Sequence, residues 1–117
     1  MRVRSIIADL PVEDVGSAKD FYLGYLGLQE ESLGLDWVTR LSASEGAAVV
    51  QLVGRDASAP VRPVVSVVVD DVDEAYEEAV RRGYEIVHPL GDEAWGVRRF
   101  LVRAPDGTVL NIVRHRA

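Results

Sequence analysis

Cysteine is absent from this 117-residue sequence. That removes disulfides, thiolate nucleophiles and thiolate-held zinc or iron–sulfur centres from consideration. Histidine is nearly as scarce: His88 and His115 are the only two, and neither has a metal-ligand spacing such as H-E-x-x-H. Each reads as a surface imidazole, His88 ahead of Pro89 at a strand end and His115 beside the C-terminus. The sequence holds no G-x-S-x-G elbow, Walker loop or dinucleotide fingerprint, so nucleophilic catalysis has no support. Positive charge is in deficit, with 13 Lys and Arg against 19 Asp and Glu and a net charge of −6. Phosphates reward clustered cations, so a nucleic-acid partner is not expected. No apolar run approaches the roughly 20 residues that cross a bilayer. The opening MRVRSIIADL lacks a leader's apolar core and small-residue cleavage site. The expectation is a cytoplasmic protein with no membrane partner.

What remains is a globular composition, 48% hydrophobic and 27% charged. A chain of this length suits one domain that buries roughly two thirds of its unfolded surface. The stretch Val64 to Gly83, VVSVVVDDVDEAYEEAVRRG, organises it. The β-branched run Val64 to Val69 favours a packed, extended backbone. Asp71 then caps a helix, with Glu74 placed three residues on to reach back in a capping box. Val72, Ala75, Tyr76, Ala79 and Val80 share one helical face, and Gly83 supplies the left-handed stop.

A matching unit precedes it. Residues 2–10 read as a strand, Pro11 to Asp14 as a turn, and Asp14 as the cap of a helix from Val15 to Leu26. Val15, Ala18, Phe21, Tyr22, Tyr25 and Leu26 fall on its inner side, and Gly27 ends it. Strands follow at Leu28–Leu33, Trp37–Ser42 and Ala47–Val53, with turns at Gly34 and at Glu45 and Gly46. In the second half, strands are expected at Tyr84–His88, Val97–Arg103 and Thr108–Arg114. A loop, Pro89 to Gly96, separates the first two, and Pro105, Asp106 and Gly107 form a tight turn before the last.

Val12, Asp14, Val15 and Ala18 recur as Val69, Asp71, Val72 and Ala75 at a constant offset of 57 residues. A cap, the valine before it and two core positions thus repeat together. This supports a duplication: an α+β fold of two tandem βαβββ modules, at about 1–54 and 63–117. A linker of small residues and proline, about 55–62, joins them.

With LPVEDVGSAKDFYLGYLGL (Leu10 to Leu28), VVVDDVDEAYEEAVRRG (Val67 to Gly83), WGVRRF (Trp95 to Phe100) and PDGTVLNIV (Pro105 to Val113), the sequence resembles the vicinal oxygen chelate superfamily. That group includes glyoxalases, extradiol dioxygenases and bleomycin-resistance proteins. The resemblance implies curled mixed sheets around an open cleft, and a homodimer with ligands in crevices lined by both subunits. One departure is Ala104, where the family usually has an Asp before the proline. In the family's enzymes the cleft holds a divalent metal on His or Glu side chains from the first and fourth strands of each half. Matching the caps and the last turn puts those positions at Ile7, Gln51, Val64 and Asn111. Hydrocarbon side chains have no lone pair, and neutral amides are poor ligands for zinc, iron or manganese. No metal and no other cofactor is therefore expected.

If Ile7 faces the cleft, strand alternation adds Ser5 and Asp9, with Ser66 and Val68 beside Val64. It adds Val49 and Val53 beside Gln51, and Val109 and Val113 beside Asn111. Such a floor, apolar with a few hydrogen-bonding groups, suits a small organic guest. Asp9 is its one negative charge, fit for a cationic ligand group or a general base. Trp37 and Trp95 stand at strand entries where they could stack on a planar ligand or simply pack. Arg98 and Arg99 offer an anion site, Arg98 also matching a structural arginine of the family near the PDG turn. Asp92 and Glu93 flank a loop able to close over the cleft. The expected protein is a metal-free binder of an antibiotic or similar hydrophobic compound, with no catalytic residue assigned; the acidic balance and Asp9 also fit a cationic guest. The alternative is an enzyme of this fold, a lyase, isomerase or dioxygenase. It would use Asp9 as a base, or a metal on displaced ligands that recruit His88 or His115.

Overall fold

A computed structural model describes residues 1–45, 48–56 and 59–115. Gly46 and Ala47, assigned above to a turn and a strand start, lie outside the described residues, as do Ala57 and Ser58 of the linker. The elements run β1 (Val3–Pro11), α1 (Val15–Lys19), β2 (Gln29–Glu31), β3 (Val38–Ser42), β4 (Val49–Val53), β5 (Val65–Val69), α2 (Val72–Arg81), β6 (Glu85–Asp92), β7 (Val97–Arg103) and β8 (Val109–His115). The fold is α+β, with a βαβββ order occurring twice. Backbone contacts divide it into two compact units, Ile7–Ser58 and Met1–Ile6 with Ala59–Ala117. Among the described residues no helix is long and apolar enough to cross a membrane.

In the unit Ile7–Ser58 the strands lie in the order β2-β3-β4-β1, with only the β4/β1 pair parallel. Asp14 caps α1 by accepting the Gly16 and Ser17 amides at 3.3 Å. From Asp20 to Tyr25 the winding opens into a π-helix, and the Leu26 amide bonds the Phe21 carbonyl five residues back at 3.2 Å. The wider turn rephases every later side chain. The expected inner face is therefore lost after Ala18. Phe21 is 55% exposed, Tyr25 76% and Leu26 51%, and Val15 is the one fully buried residue of the expected six. The three rings contact one another instead, Phe21 lying 5.2 Å from Tyr22 and 5.3 Å from Tyr25. Toward α1 the sheet presents Thr39, Leu41 and Leu52. There Glu30 takes the Thr39 hydroxyl at 2.6 Å and the Lys19 ammonium at 2.8 Å, which together hold its carboxyl below the ordinary range.

The other unit repeats the order as β5-β8-β7-β6, again with one parallel pair, β5/β8. Asp71 caps α2 by accepting the Glu74 amide at 3.0 Å. Glu74 itself turns its carboxylate to the Met1 nitrogen, 2.6 Å away, rather than closing the capping box. Val72, Ala75 and Ala79 pack on Val69, Phe100, Val102 and Ile112, and Tyr76 meets Phe100 edge-on at 5.1 Å. Val80, expected on that face, is 53% exposed, since Ala79 and Ala75 already hold the line of contact. Gly83 ends the helix with φ +76.

Strand β6 is longer than expected: Pro89 to Asp92 continue it, and the anticipated long loop shrinks to a turn closed by Gly96, φ +92. Arg98 clamps this hairpin to the helix. Its guanidinium meets both Asp73 oxygens at 2.8 and 3.2 Å and Asp92 at 3.3 Å, so Asp92 belongs to a structural network. Arg103 holds the PDG turn, donating to the Gly107 carbonyl at 3.2 Å, and Arg98 does not have that role. The Arg98 hydrogen bonds depress the Asp73 carboxyl below its ordinary value. A depressed carboxylate stabilises the fold above its unfolded pKa and loses that contribution as pH falls through its folded value. Asp73→Asn is therefore expected to be less stable than the parent near neutral pH, with the gap closing in acid, as urea midpoints at stepped pH will show. The effect is small because the pair is exposed.

Candidate functional site

Each unit has one sheet face turned away from its helix, and the two faces carry equivalent polar rows. In a parallel or antiparallel ladder, directly opposite residues share a face. In the unit Ile7–Ser58 the register sets Asp9 beside Gln51, Gln51 beside Arg40 and Arg40 beside Glu31. In the other unit it sets Ser66 beside Asn111, Asn111 beside Leu101 and Leu101 beside His88. Ser66 is the repeat counterpart of Asp9.

The first row is chemically closed. Gln51 donates through Nε2 to Asp9 Oδ1 at 2.7 Å and accepts through Oε1 from Arg40 at 3.1 and 3.3 Å. Asp9 is only 5% exposed and Gln51 8%. Asp9 is thus a buried, amide-bonded carboxylate rather than a solvated one. Ile7, two residues back on the same face, is buried as well.

The second row is open. Asn111 donates to Ser66 Oγ at 3.0 Å, but its Oδ1 is buried with no hydrogen-bond partner among the described residues. The cause is visible in the register. Where Gln51 has Arg40 as a cross-strand donor, Asn111 has Leu101, which can donate nothing. Val64 stands just before β5 and is 55% exposed, tied by its amide to the Val109 carbonyl at 2.9 Å. Ser5 is also exposed.

His88 reaches this row through irregular pairing. The register shifts between Ile86 and His88, so Ile86 opposes Val102 on the helix side while His88 opposes Leu101 on the free side. Simple alternation would put both on one face. His88 is consequently not a surface imidazole. Its side chain is 18% exposed, with Nε2 3.7 Å from Glu93 Oε1. The same Glu93 oxygen takes the Arg99 guanidinium at 3.2 Å, and the Trp95 ring stacks 5.1 Å from that guanidinium. Glu93 and the buried Arg99 therefore face each other in a cluster held by their own charges; they form neither a loop closure nor an anion site. Trp37 is half-buried, and its carbonyl accepts the Gly54 amide at 2.6 Å. A Cβ at position 54 would come within 3.3 Å of that oxygen, so a larger residue there needs the Trp37 carbonyl to give way by a few tenths of an ångström. His115 is exposed at the end of β8.

A family model for the Glyoxalase/Bleomycin resistance protein/Dioxygenase superfamily matches residues 5–112. The chain belongs to this superfamily. Among curated proteins none matches it. Its solved structural neighbours show the same fold. A superfamily member from Vibrio splendidus 12B01 has TM-score 0.69 at 19% identity, covering 94% of this chain and 97% of that one. A structure described as NAD-dependent benzaldehyde dehydrogenase from Legionella pneumophila has TM-score 0.79 at 19% identity, over 96% and 100%. The Mn(II)-bound glyoxalase from Novosphingobium aromaticivorans has TM-score 0.67 at 15% identity, over 96% of this chain but 38% of that one.

The residues present do not fit the divalent metal of the superfamily's enzymes. Ile7 and Val64 offer only hydrocarbon, and the Gln51 amide is bonded at both ends. Among the described residues no three His, Cys, Asp or Glu side chains converge into a metal-holding group. What the free faces offer instead is hydrogen bonding set in hydrocarbon: Val109 and Val113 flank Asn111 in β8, and both are buried.

Proposed function

We propose that this superfamily member binds a hydrophobic small molecule without a metal ion, sequestering an antibiotic or similar compound or carrying it, as a cytoplasmic homodimer. The observation that carries the reading is Asn111 Oδ1, a buried acceptor left unpaired in an apolar surround. An unmade buried hydrogen bond costs about 1–3 kcal/mol, so a guest that presents an N–H or O–H there recovers stabilisation unavailable to the free protein. The net charge of −6 adds attraction for a cationic guest. The enzyme reading has less behind it, since Asp9 Oδ1 is already held by Gln51 and His88 faces a single carboxylate, Glu93.

Titration with bleomycin, a cationic organic probe, is expected to give a saturable change in tryptophan fluorescence, through Trp95 in particular. Mn²⁺ and Zn²⁺ are expected to show no stoichiometric binding by calorimetry. Asn111→Leu is expected to weaken bleomycin about tenfold, the equivalent of about 1.4 kcal/mol. A stoichiometric transition metal in the purified protein would overturn the reading, as would unchanged affinity in Asn111→Leu. Sedimentation equilibrium tests the dimer.

A further inference from the structure

The two helical segments differ in length by one residue. The first reaches its left-handed glycine, Gly27, 13 positions after the Asp14 cap, and the second reaches Gly83 12 positions after Asp71. The π-helical turn Asp20–Tyr25 takes up the extra residue. Counted from the caps, Phe21 and Tyr25 correspond to Glu78 and Arg82. Counted from the glycines, Phe21, Tyr25 and Leu26 correspond to Glu77, Arg81 and Arg82. By either count the second unit fills these places with charged side chains: Glu77, Arg81 and Arg82 are exposed, and Glu78 pairs with both arginines. The first unit has two rings and a leucine there, and leaves them 55%, 76% and 51% exposed. The Phe21 ring lies 5.2 Å from Tyr22 and 5.3 Å from Tyr25, so the rings form one surface. Packing within the chain does not account for them. Contiguous exposed apolar surface marks an interaction site, and aromatic residues are enriched at such sites.

Charge decides what covers this surface. From position 13 to position 36 the sequence holds six acidic residues, Glu13, Asp14, Asp20, Glu30, Glu31 and Asp36, against one basic residue, Lys19. Glu30 already holds that lysine at 2.8 Å. Most of the chain's net charge of −6 therefore belongs to the segment that carries the rings. A second copy is a poor occupant, because a twofold contact would set this acidic segment against itself. Anionic lipid headgroups are repelled for the same reason. We propose that Phe21, Tyr25 and Leu26 form a docking surface for a basic amphipathic segment of another protein. Its apolar side chains cover the rings, and its arginines or lysines meet the carboxylates of the segment. An arginine guanidinium gains further by stacking on an aromatic face. The surface belongs to the helical side of the unit Ile7–Ser58, so this inference does not depend on the preceding one.

A synthetic amphipathic helix of leucine and arginine is the probe, with a version carrying glutamate in place of arginine as its control. Titration of the arginine peptide is expected to saturate, with amide shifts in a ¹⁵N spectrum concentrated at residues 18–28, and to weaken as salt is raised. The glutamate peptide is expected to bind at least about tenfold more weakly. Phe21→Ala and Tyr25→Ala, both at exposed positions that the fold does not need, are each expected to weaken the arginine peptide about tenfold. Val80→Ala, exposed on the helix of the other unit, is expected to leave binding unchanged. No binding of the arginine peptide, equal binding of the glutamate peptide, undiminished binding in both alanine variants, or shifts confined to other residues would overturn the proposal. So would a dimer in sedimentation equilibrium that Tyr25→Ala dissociates, since a second copy would then cover the rings.

Discussion

Phe100→Ala is expected to lower the unfolding free energy by about 3–5 kcal/mol, the usual range for removing a buried phenyl ring. Phe100 is 1% exposed and sits where β7 meets α2, touching the cluster of Val69, Val72, Ala75, Ala79, Val102 and Ile112. Its ring also supports Tyr76, so the substitution removes both the transferred area and an aromatic pair worth about 0.5–1.5 kcal/mol. The site has little scope to collapse, because the residues facing it from the helix are alanines, with no longer side chain to swing into the gap. Against a total stability of about 5–15 kcal/mol the loss is large, and at about 4 °C per kcal/mol it corresponds to a fall in Tm of roughly 12–20 °C. Urea denaturation followed by tryptophan fluorescence is the check, with the midpoint moving and the slope unchanged. Phe21→Ala provides the contrast: its ring is 55% exposed on the π-helical turn, and a cost under about 1 kcal/mol is expected. Similar losses for the two variants would show that burial does not decide their contributions.

That contrast also marks what the sequence made legible. Asp14 and Asp71 were readable as caps because a side-chain oxygen next to an amphipathic run has a local job, and both accept helix amides in the structure. Strand parity and the offset of 57 assigned Asp9, Gln51, Ser66 and Asn111 to one kind of face, but that Asp9 lies beside Gln51 and Ser66 beside Asn111 comes from a register that only the folded sheet supplies. The misplaced residues are those downstream of a break in regular geometry. Phe21, Tyr25 and Leu26 follow a change of helical winding that no 3.6-residue pattern anticipates. His88 follows a shift in the pairing of β6, and one added residue moves a side chain to the other face. Pro89 at that point was the available signal, because proline interrupts ladder pairing and favours edges and bulges. That Arg103 and not Arg98 holds the PDG turn could not be read from spacing, because the partners of each arginine are brought together only by folding.

Gln51→Leu is expected to cost about 3 kcal/mol, while Asn111→Leu at the equivalent position is expected to change stability by less than about 1 kcal/mol in either direction. The two amides occupy corresponding places in β4 and β8, yet their surroundings differ. Removing Gln51 takes the 2.7 Å donor from the buried Asp9 carboxylate and the acceptor from Arg40, and hydrogen bonds to charged groups in a buried row are costly to lose. Removing Asn111 loses one 3.0 Å bond to Ser66 but also eliminates an acceptor that is buried without a partner, so the two effects offset. A double variant, Gln51→Leu with Asp9→Asn, is expected to recover part of the first loss, because a neutral amide is less costly than a carboxylate to bury without the Gln51 donor. Function should run the other way: Asn111→Leu keeps its fold and loses the organic guest, since the acceptor that would meet the guest is gone. Equal costs at the two positions, in urea denaturation of both variants, would mean that Asn111 Oδ1 is satisfied in solution.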